Sequence, residues 1–334
     1  VQIDSSAGNA TLTTADTIRI TGTLTVPSAL NTATLDIADD TLFVGGGLNL
    51  TNLDTFTVTD STVTLNGTLA QTVTTAGKTY NELAVTNTAG VTFADAFTTS
   101  DLTAVTADAH LYFENSTTYT ITGTLDLDGG TLGDEVTLDT IDGLAPAFIL
   151  DVASQQVVSY VDVSNSSASI SSILASYAID GGGNDNFEAA PHWVLNEPST
   201  VNGWTNGNGT DRWDDALNWS PADVPDTFAE KAYINTTAVT ITNTGSVEIG
   251  ELHLDTGFDG TLAPDGDVSV LTTSGGSGVV RIDDGALDLS ANDAALTLDG
   301  MLYVGSSGAF TAGAGAVTLT GASVGYLEEN IDQG

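Results

Sequence analysis

The sequence contains no cysteine, and only five lysines and arginines stand against 44 aspartates and glutamates, a formal net charge of −39. Without thiols there are no disulfides, no thiolate metal ligands and no cysteine redox chemistry, so stability has to come from packing and backbone ladders. Without cations there is little to hold a polyanion. Each phosphate contact needs a Lys or Arg, and a surface this acidic repels nucleic acid and anionic membranes over a Debye length, which sets both aside as partners. Long apolar runs are missing too: none approaches the ~18 consecutive residues of a membrane-spanning helix. The N-terminus, Val1-Gln2-Ile3-Asp4, has no initiator Met and neither the basic nor the apolar region of a signal peptide, and it reads as a mature or excised piece of something longer.

What is present is order rather than dilution. Hydrophobic residues make up 41% of the chain, and Val, Ile and Leu recur in alternating runs, which argues for a folded protein despite the charge. Thr17-Ile18-Arg19-Ile20, Thr34-Leu35-Asp36-Ile37, Thr41-Leu42-Phe43-Val44, Thr55-Phe56-Thr57-Val58 and Tyr119-Thr120-Ile121-Thr122 each alternate apolar residues with Thr or a charged residue. That is the period-two signature of a half-buried strand. Gly, Asn and Asp lie between the runs and tolerate the positive backbone angles of tight turns. A 3.6-residue stripe is nowhere convincing, and Ile170–Tyr177 is the best candidate for a helical turn.

One short pattern, apolar–polar–Gly–Thr/Met–Leu, occurs around Gly22, Gly67, Gly123 and Gly300, with the first three copies 45 and 56 residues apart. Apolar residues flanking a Gly corner suit a coil of a β-helix, where both side chains enter one narrow core while the backbone turns. The expected fold is therefore all-β, a parallel β-helix or β-solenoid, with an array of β-sandwiches as the alternative. Composition then shifts: no Thr occurs between Thr140 and Thr200, and all four tryptophans, Trp193, Trp204, Trp213 and Trp219, follow within a short span. The expected organisation is a solenoid-like domain over 1–196, closed by the Thr-free segment 141–196, and a second β-rich domain over 197–334 opened by a Trp-rich cap.

Several of these residues resemble the tandem units of very long bacterial adhesins and autotransporter-like surface proteins. Gly203-Trp204-Thr205, Asn218-Trp219-Ser220, Val224-Pro225 and Ala232-Tyr233-Ile234 match, in order, the opening signature of such units. Residues 159–187, from Ser159-Tyr160-Val161-Asp162-Val163-Ser164-Asn165-Ser166 to Asp180-Gly181-Gly182-Gly183-Asn184, resemble the closing signature. Closing precedes opening, so the resemblance implies that one unit ends near 196 and the next begins.

Candidate chemistry is thin. Asp180, Asn184, Asp185 and Asn186 put oxygens on a Gly-rich loop, and Asp126, Asp128 and Asp134, with Glu135, surround Gly129-Gly130. Both could serve the 6–8 oxygen coordination of Ca²⁺; a capping turn is the plain reading of each. Asp283, Asp284 and Asp288 form a third acidic group around Gly285. Paired carboxylates at Asp39-Asp40, Asp214-Asp215 and Asp283-Asp284, the last beside Arg281, are the candidates for glycoside chemistry. The histidines His110, His192 and His253 lack metal-ligand or triad spacing. Thr-x-Thr pairs could form an ice-binding ladder or simply line a solvated strand face. Trp204, Trp213 and Trp219 could stack on sugars or cap the open end of a core. Sequons such as Asn66-Gly67-Thr68 are no more frequent than the abundance of Asn and Thr requires.

These features point to a non-enzymatic structural module of an extracellular, cell-surface or filament protein, extending or assembling end to end or against neighbouring repeats. Ca²⁺ is the one cofactor to consider and surface glycans the further partner. The alternative is a carbohydrate-binding or carbohydrate-cleaving β-helix.

Overall fold

A computed structural model describes the chain except for residues 29, 186–190, 197–199, 237–238, 243–244, 272–277, 321–326 and 330–334; residues 327–329 are described as a strand. The chain divides into two compact units, Val1–Glu197 and Pro198–Gly334. Both are stacks of short parallel strands, together about 14 turns of a β-solenoid, so the sandwich alternative is not what these residues form.

In the first unit one sheet stacks Ile18–Ile20, Thr41–Val44, Thr62–Leu65, Thr79–Val85, Thr98–Ala104, Thr118–Ile121, Phe148–Val152 and Ser166–Ser169, each parallel to the next. A second sheet runs from Leu24–Thr25 through Gln71–Thr74 and His110–Phe113 to Ile179–Gly182. Ile18, Leu42, Val63, Leu83 and Leu102 lie in register, 24, 21, 20 and 19 residues apart, each on top of the last. Alternation explains the core: Leu42, Val63, Leu83, Leu102, Leu111 and Leu138 point inward and are fully buried, while their Thr and acidic neighbours point out. Aromatic rings follow the same columns. Phe93 stacks on Phe113 of the next strand at 5.4 Å, and Phe113 meets Phe148 of the facing sheet at 4.4 Å across the core.

The third face changes along the stack. Early coils supply Ala10–Thr13, Ala33–Asp36 and Thr55–Thr57; late coils supply Gln156–Ser159, Ile173–Ser176 and Trp193–Asn196. The conversion occurs over Thr98–Ala104. This straight strand is covered by two strands of the next coil, Thr118–Ile121 and Leu125–Leu127, with Gly123 bending the chain between them. A Cβ on Gly123 would meet Ser100 O at 3.0 Å, so the corner takes glycine because it lies directly on the strand below.

This geometry revises two sequence expectations. Ile170–Tyr177 holds no helical turn: Ile173–Ser176 is a strand, and Ile170 and Tyr177 are single-residue corners with φ of 66° and 51°. The four glycine patterns do not mark one recurring corner. Gly46 stacks on Gly22 one coil on, whereas Gly123 belongs to the newly opened corner. Ile20/Leu24, Ile121/Leu125 and Leu298/Leu302 are buried on both sides of their glycines, but Leu69 is 77% exposed. Gln71 takes the inward place at that corner. Its amide donates to Val44 O (2.8 Å) and Gly46 O (2.6 Å), and its carbonyl oxygen accepts from Gly67 N (2.8 Å). A buried amide is tolerated there because backbone groups at the turn and the Asn87 amide, which donates to its oxygen (2.8 Å), satisfy it.

The second unit repeats the plan. Lys231–Ile234, Glu251–Leu254, Val279–Asp288 and Met301–Thr311 stack in one sheet, and Val247–Ile249, Val268–Val270, Leu296–Leu298 and Val317–Leu319 in another. Its first strand, Val201–Trp204, is covered on the outer edge by Trp219–Ser220, the one antiparallel pair among the described residues. The only helix described is a single 3₁₀ turn, Ala216–Asn218, capped by Asp215.

Close stacking makes a matched pair of substitutions informative. A Cβ on Gly46 would lie 2.4 Å from Gly22 C, whereas a Cβ on Gly22 meets nothing within 4 Å. Gly46→Ala is expected to cost about 1–3 kcal/mol and Gly22→Ala no more than about 0.5 kcal/mol in urea denaturation. Equal midpoints for the two variants would contradict the stacking of these coils.

Candidate functional site

With 44 acids and register that places each coil on the next, the carboxylates need partners. Several find them in the backbone of the adjacent coil. Asp54 accepts from Ala33 N (2.8 Å), Asp101 from Thr124 N (2.8 Å), Asp267 from Ala295 N (3.0 Å), Asp293 from Ala314 N (2.7 Å) and Asp299 from Gly278 N (2.6 Å). Asp95 takes Thr75 N (2.6 Å) with one oxygen and Ala76 N (2.7 Å) with the other. Corners are where strand N–H groups lose their ladder partners, and a short acidic side chain one coil away satisfies them. These carboxylates act as staples between coils.

The proposed calcium loops belong to the same scheme. Asp180 accepts from Gly182 N (2.9 Å) and from the Asn184 amide (2.8 Å); Asn184 in turn accepts from Ser166 N (3.0 Å) and donates to Val163 O (2.7 Å). Asp185 accepts from Ala168 N (3.0 Å) and Trp193 N (3.3 Å), and Asn186 lies outside the described residues. In the other loop Asp128 accepts from Gly130 N (2.8 Å), Asp134 from the Thr131 hydroxyl (2.9 Å) and Glu135 from Gly133 N (2.8 Å). Asp126 stands apart on the strand face; burial, and then the charges of Asp128 and Glu82, raise its pKa above the ordinary carboxylate value. Among the described residues no three His, Asp or Glu side chains converge as metal ligands.

The other pairs are also separated by their bonds. Asp214 is held by Arg212 at 2.6 Å, while Asp215 caps the 3₁₀ turn. Asp40 accepts from the Thr14 hydroxyl, and Asp39 is a corner residue with φ 62°. Asp283 is gripped by the Arg281 fork (2.5 and 3.1 Å), and Asp284 accepts from Gly285 N (2.9 Å). Asp288 caps Ser290 (2.9 Å). Trp204, Trp213 and Trp219 are all buried, meeting edge to face at 4.9 and 4.7 Å, with the Trp219 indole N–H on Trp213 O (2.8 Å). Their faces are inside the core, so this cluster caps the second unit and offers no platform for a sugar. The Thr rows are interrupted: Thr64 pairs with Phe43 and Ala84, and Thr57 with Asp36.

One polar group on the second unit's main sheet was not apparent from the sequence. Two columns of the second unit's main sheet bring Lys231 over Glu251, and stack Tyr233, His253, Arg281 and Tyr303. Glu251 bonds Lys231 at 3.0 Å and the His253 Nε2 at 3.2 Å. The Arg281 guanidinium lies 5.0 Å from the centre of the Tyr303 ring, and the buried Tyr233 hydroxyl donates to Asp255. Burial opposes the Glu251 charge, but the His253 hydrogen bond and the Lys231 charge outweigh it and bring its pKa from 4.5 down to about 2. Arg281 likewise remains above its ordinary value, since its bonds and charge attraction to Asp283 exceed the cost of burial. Each strand shows only alternation, Lys-Ala-Tyr, Glu-Leu-His and Arg-Ile-Asp; unequal coil lengths hide which residues stack. His110 and His192 are elsewhere, one stacked against Tyr112, the other buried near Ser172.

The fold and these surfaces define a β-solenoid protein whose coils are joined by acidic staples and one mixed ion-pair column. Comparison with protein-family models, curated proteins and solved structures gives no match.

Glu251 carries a definite pH signature. Its folded pKa of about 2 lies below the ordinary 4.5, so its contribution is full above pH 4.5 and fades as pH falls towards 2. At roughly 1.36 kcal/mol per unit this is about 3 kcal/mol. The urea-midpoint gap between wild type and Glu251→Gln is expected to be largest near pH 6 and to close between pH 4.5 and 2. A gap independent of pH would show that the column does not hold Glu251 as a carboxylate.

Proposed function

We propose that the chain is a structural module of an extracellular bacterial surface or filament protein, acting as a stiff spacer that can join end to end with its own kind. The observation that carries this reading is the stack of parallel coils within each unit. Its interior is a continuous apolar column, and its outside is held coil to coil by backbone and acidic staples, an arrangement suited to bearing load along the stack. The Trp-rich segment supports the same role, since its antiparallel strand covers one sheet edge that would otherwise template pairing. Other edges are open: Ala10–Thr13 and Ile18–Ile20 pair on one side only among the described residues, and such edges accept further strands. The resemblance of the Trp-rich and Gly-rich segments to tandem units of bacterial adhesins agrees with a surface location.

Electron microscopy and sedimentation of the purified chain across a concentration range, with Ca²⁺ and with a chelator, test the proposal. Concentration-dependent end-to-end fibres are expected. Fibres that dissolve on chelation would assign the junction to cations bridging acidic surfaces; fibres that persist would assign it to strand pairing. Single particles under every condition would overturn self-assembly.

A further inference from the structure

A groove of about 270 Å³ opens on the first unit, lined by Arg19, Ile20, Thr21, Phe43, Gly45, Asn66, Gly67 and Thr68. It exists because glycine occupies its corners. A Cβ on Gly45 would come 3.0 Å from Thr21 O, and one on Gly67 would lie 2.7 Å from the Gln71 amide, so the coils close up here and the backbone is left bare. Arg19 stands above it with its guanidinium 3.8 Å from the centre of the Phe43 ring, an arrangement that fixes the plane of the fork.

The chemistry of the lining is unlike the rest of the surface. None of the eight residues is acidic, in a chain with 44 acids and five bases. Arg212, Lys231 and Arg281 are each committed to a carboxylate, whereas Arg19 has no acidic partner among the described residues. The side chains of Thr21, Asn66 and Thr68 make no hydrogen bond among the described residues either, although Asn and Asp elsewhere staple corners. The groove thus presents one oriented guanidinium, one amide and two hydroxyls, all with unused hydrogen-bonding capacity, around a glycine floor.

We propose that this groove is a binding site for a carboxylated sugar, the Arg19 fork taking the carboxylate and Asn66, Thr21 and Thr68 taking ring hydroxyls. A planar fork matches a carboxylate two bonds at a time, the mixed amide and hydroxyl lining suits a polyol, and the volume is at the small end of ligand clefts. Distant acids are screened over about 8 Å at physiological salt, so the single local cation governs the site. This function is separate from the structural role and stands or falls without it.

The test is calorimetric or NMR titration of the full chain with glucuronic acid and N-acetylneuraminic acid, with glucose and acetate as controls. Saturable binding of at least one acidic sugar is expected, weakened about tenfold or more by Arg19→Gln and measurably by Asn66→Ala, with glucose and acetate binding far more weakly. Circular dichroism should be unchanged, because Arg19 is exposed and Asn66 lies at a corner. Absence of saturable binding by wild type, undiminished binding by folded Arg19→Gln, or acetate binding as well as the sugars would overturn the assignment.

Discussion

Parallel pairing of each coil with the one below it is the constraint on which the rest of this structure depends. Once two strands are in register, every side chain sits within about 4.8 Å of its counterpart on the next coil, and no residue can be chosen without regard to the column it joins. Inward columns solve this by likeness. Leu on Val on Leu, or Phe93 on Phe113, fills the core with the same shape repeated, and dispersion is gained at every step. Insertions are absorbed at corners, which is why coil length drifts from 24 to 19 residues over the first coils while the columns remain aligned.

Outward columns cannot use likeness when the residues are carboxylates. Stacked acids repel at each coil of a chain at −39, and among the described strand pairs they meet once, at Glu82 over Asp101. The structure instead sends Asp side chains to the corners, where backbone N–H groups have lost their ladder partners, so that the charge is stabilised and the neighbouring coil is tied down by one bond. Asp95, Asp101, Asp267 and Asp293 all do this. Some of the acidity that looks like a solubility or cation-binding feature is the fastening of the solenoid. On the strand faces Asp126 is perturbed, Glu82 and Asp151 accept from the Thr62 and Ser169 hydroxyls, and Glu251 and Asp283 are matched by scarce cations.

The scarcity of cations makes the position of each one informative. Lys231 joins Glu251 on the next coil, Arg281 and His253 hold acids of their own strands, Arg212 holds a loop acid, and Lys78 has no ion pair among the described residues. Arg19 is set over the Phe43 ring beside a groove whose lining has no acid. Three of the four tryptophans cover an end of the second core, and Trp193 is buried in the first.

Alternation of apolar residues with Thr and Asp, interrupted by Gly and Asn, was sufficient to establish an all-β chain of short turns, because strand periodicity is a local property of the backbone. Apolar flanks around Gly22, Gly123 and Gly300 likewise told which residues enter the core. The glycine at Gly67 misled, since nothing local shows that Gln71 rather than Leu69 turns inward, and Ile170–Tyr177 misled because a single left-handed residue can turn a corner as well as a helix can. The pairing of carboxylates with N–H groups a coil away, the Lys231–Glu251–His253 column and the groove beneath Arg19 were decided by register alone. Register depends on the length of every preceding coil, and those lengths are set by how corners pack in three dimensions, which no single stretch of sequence contains.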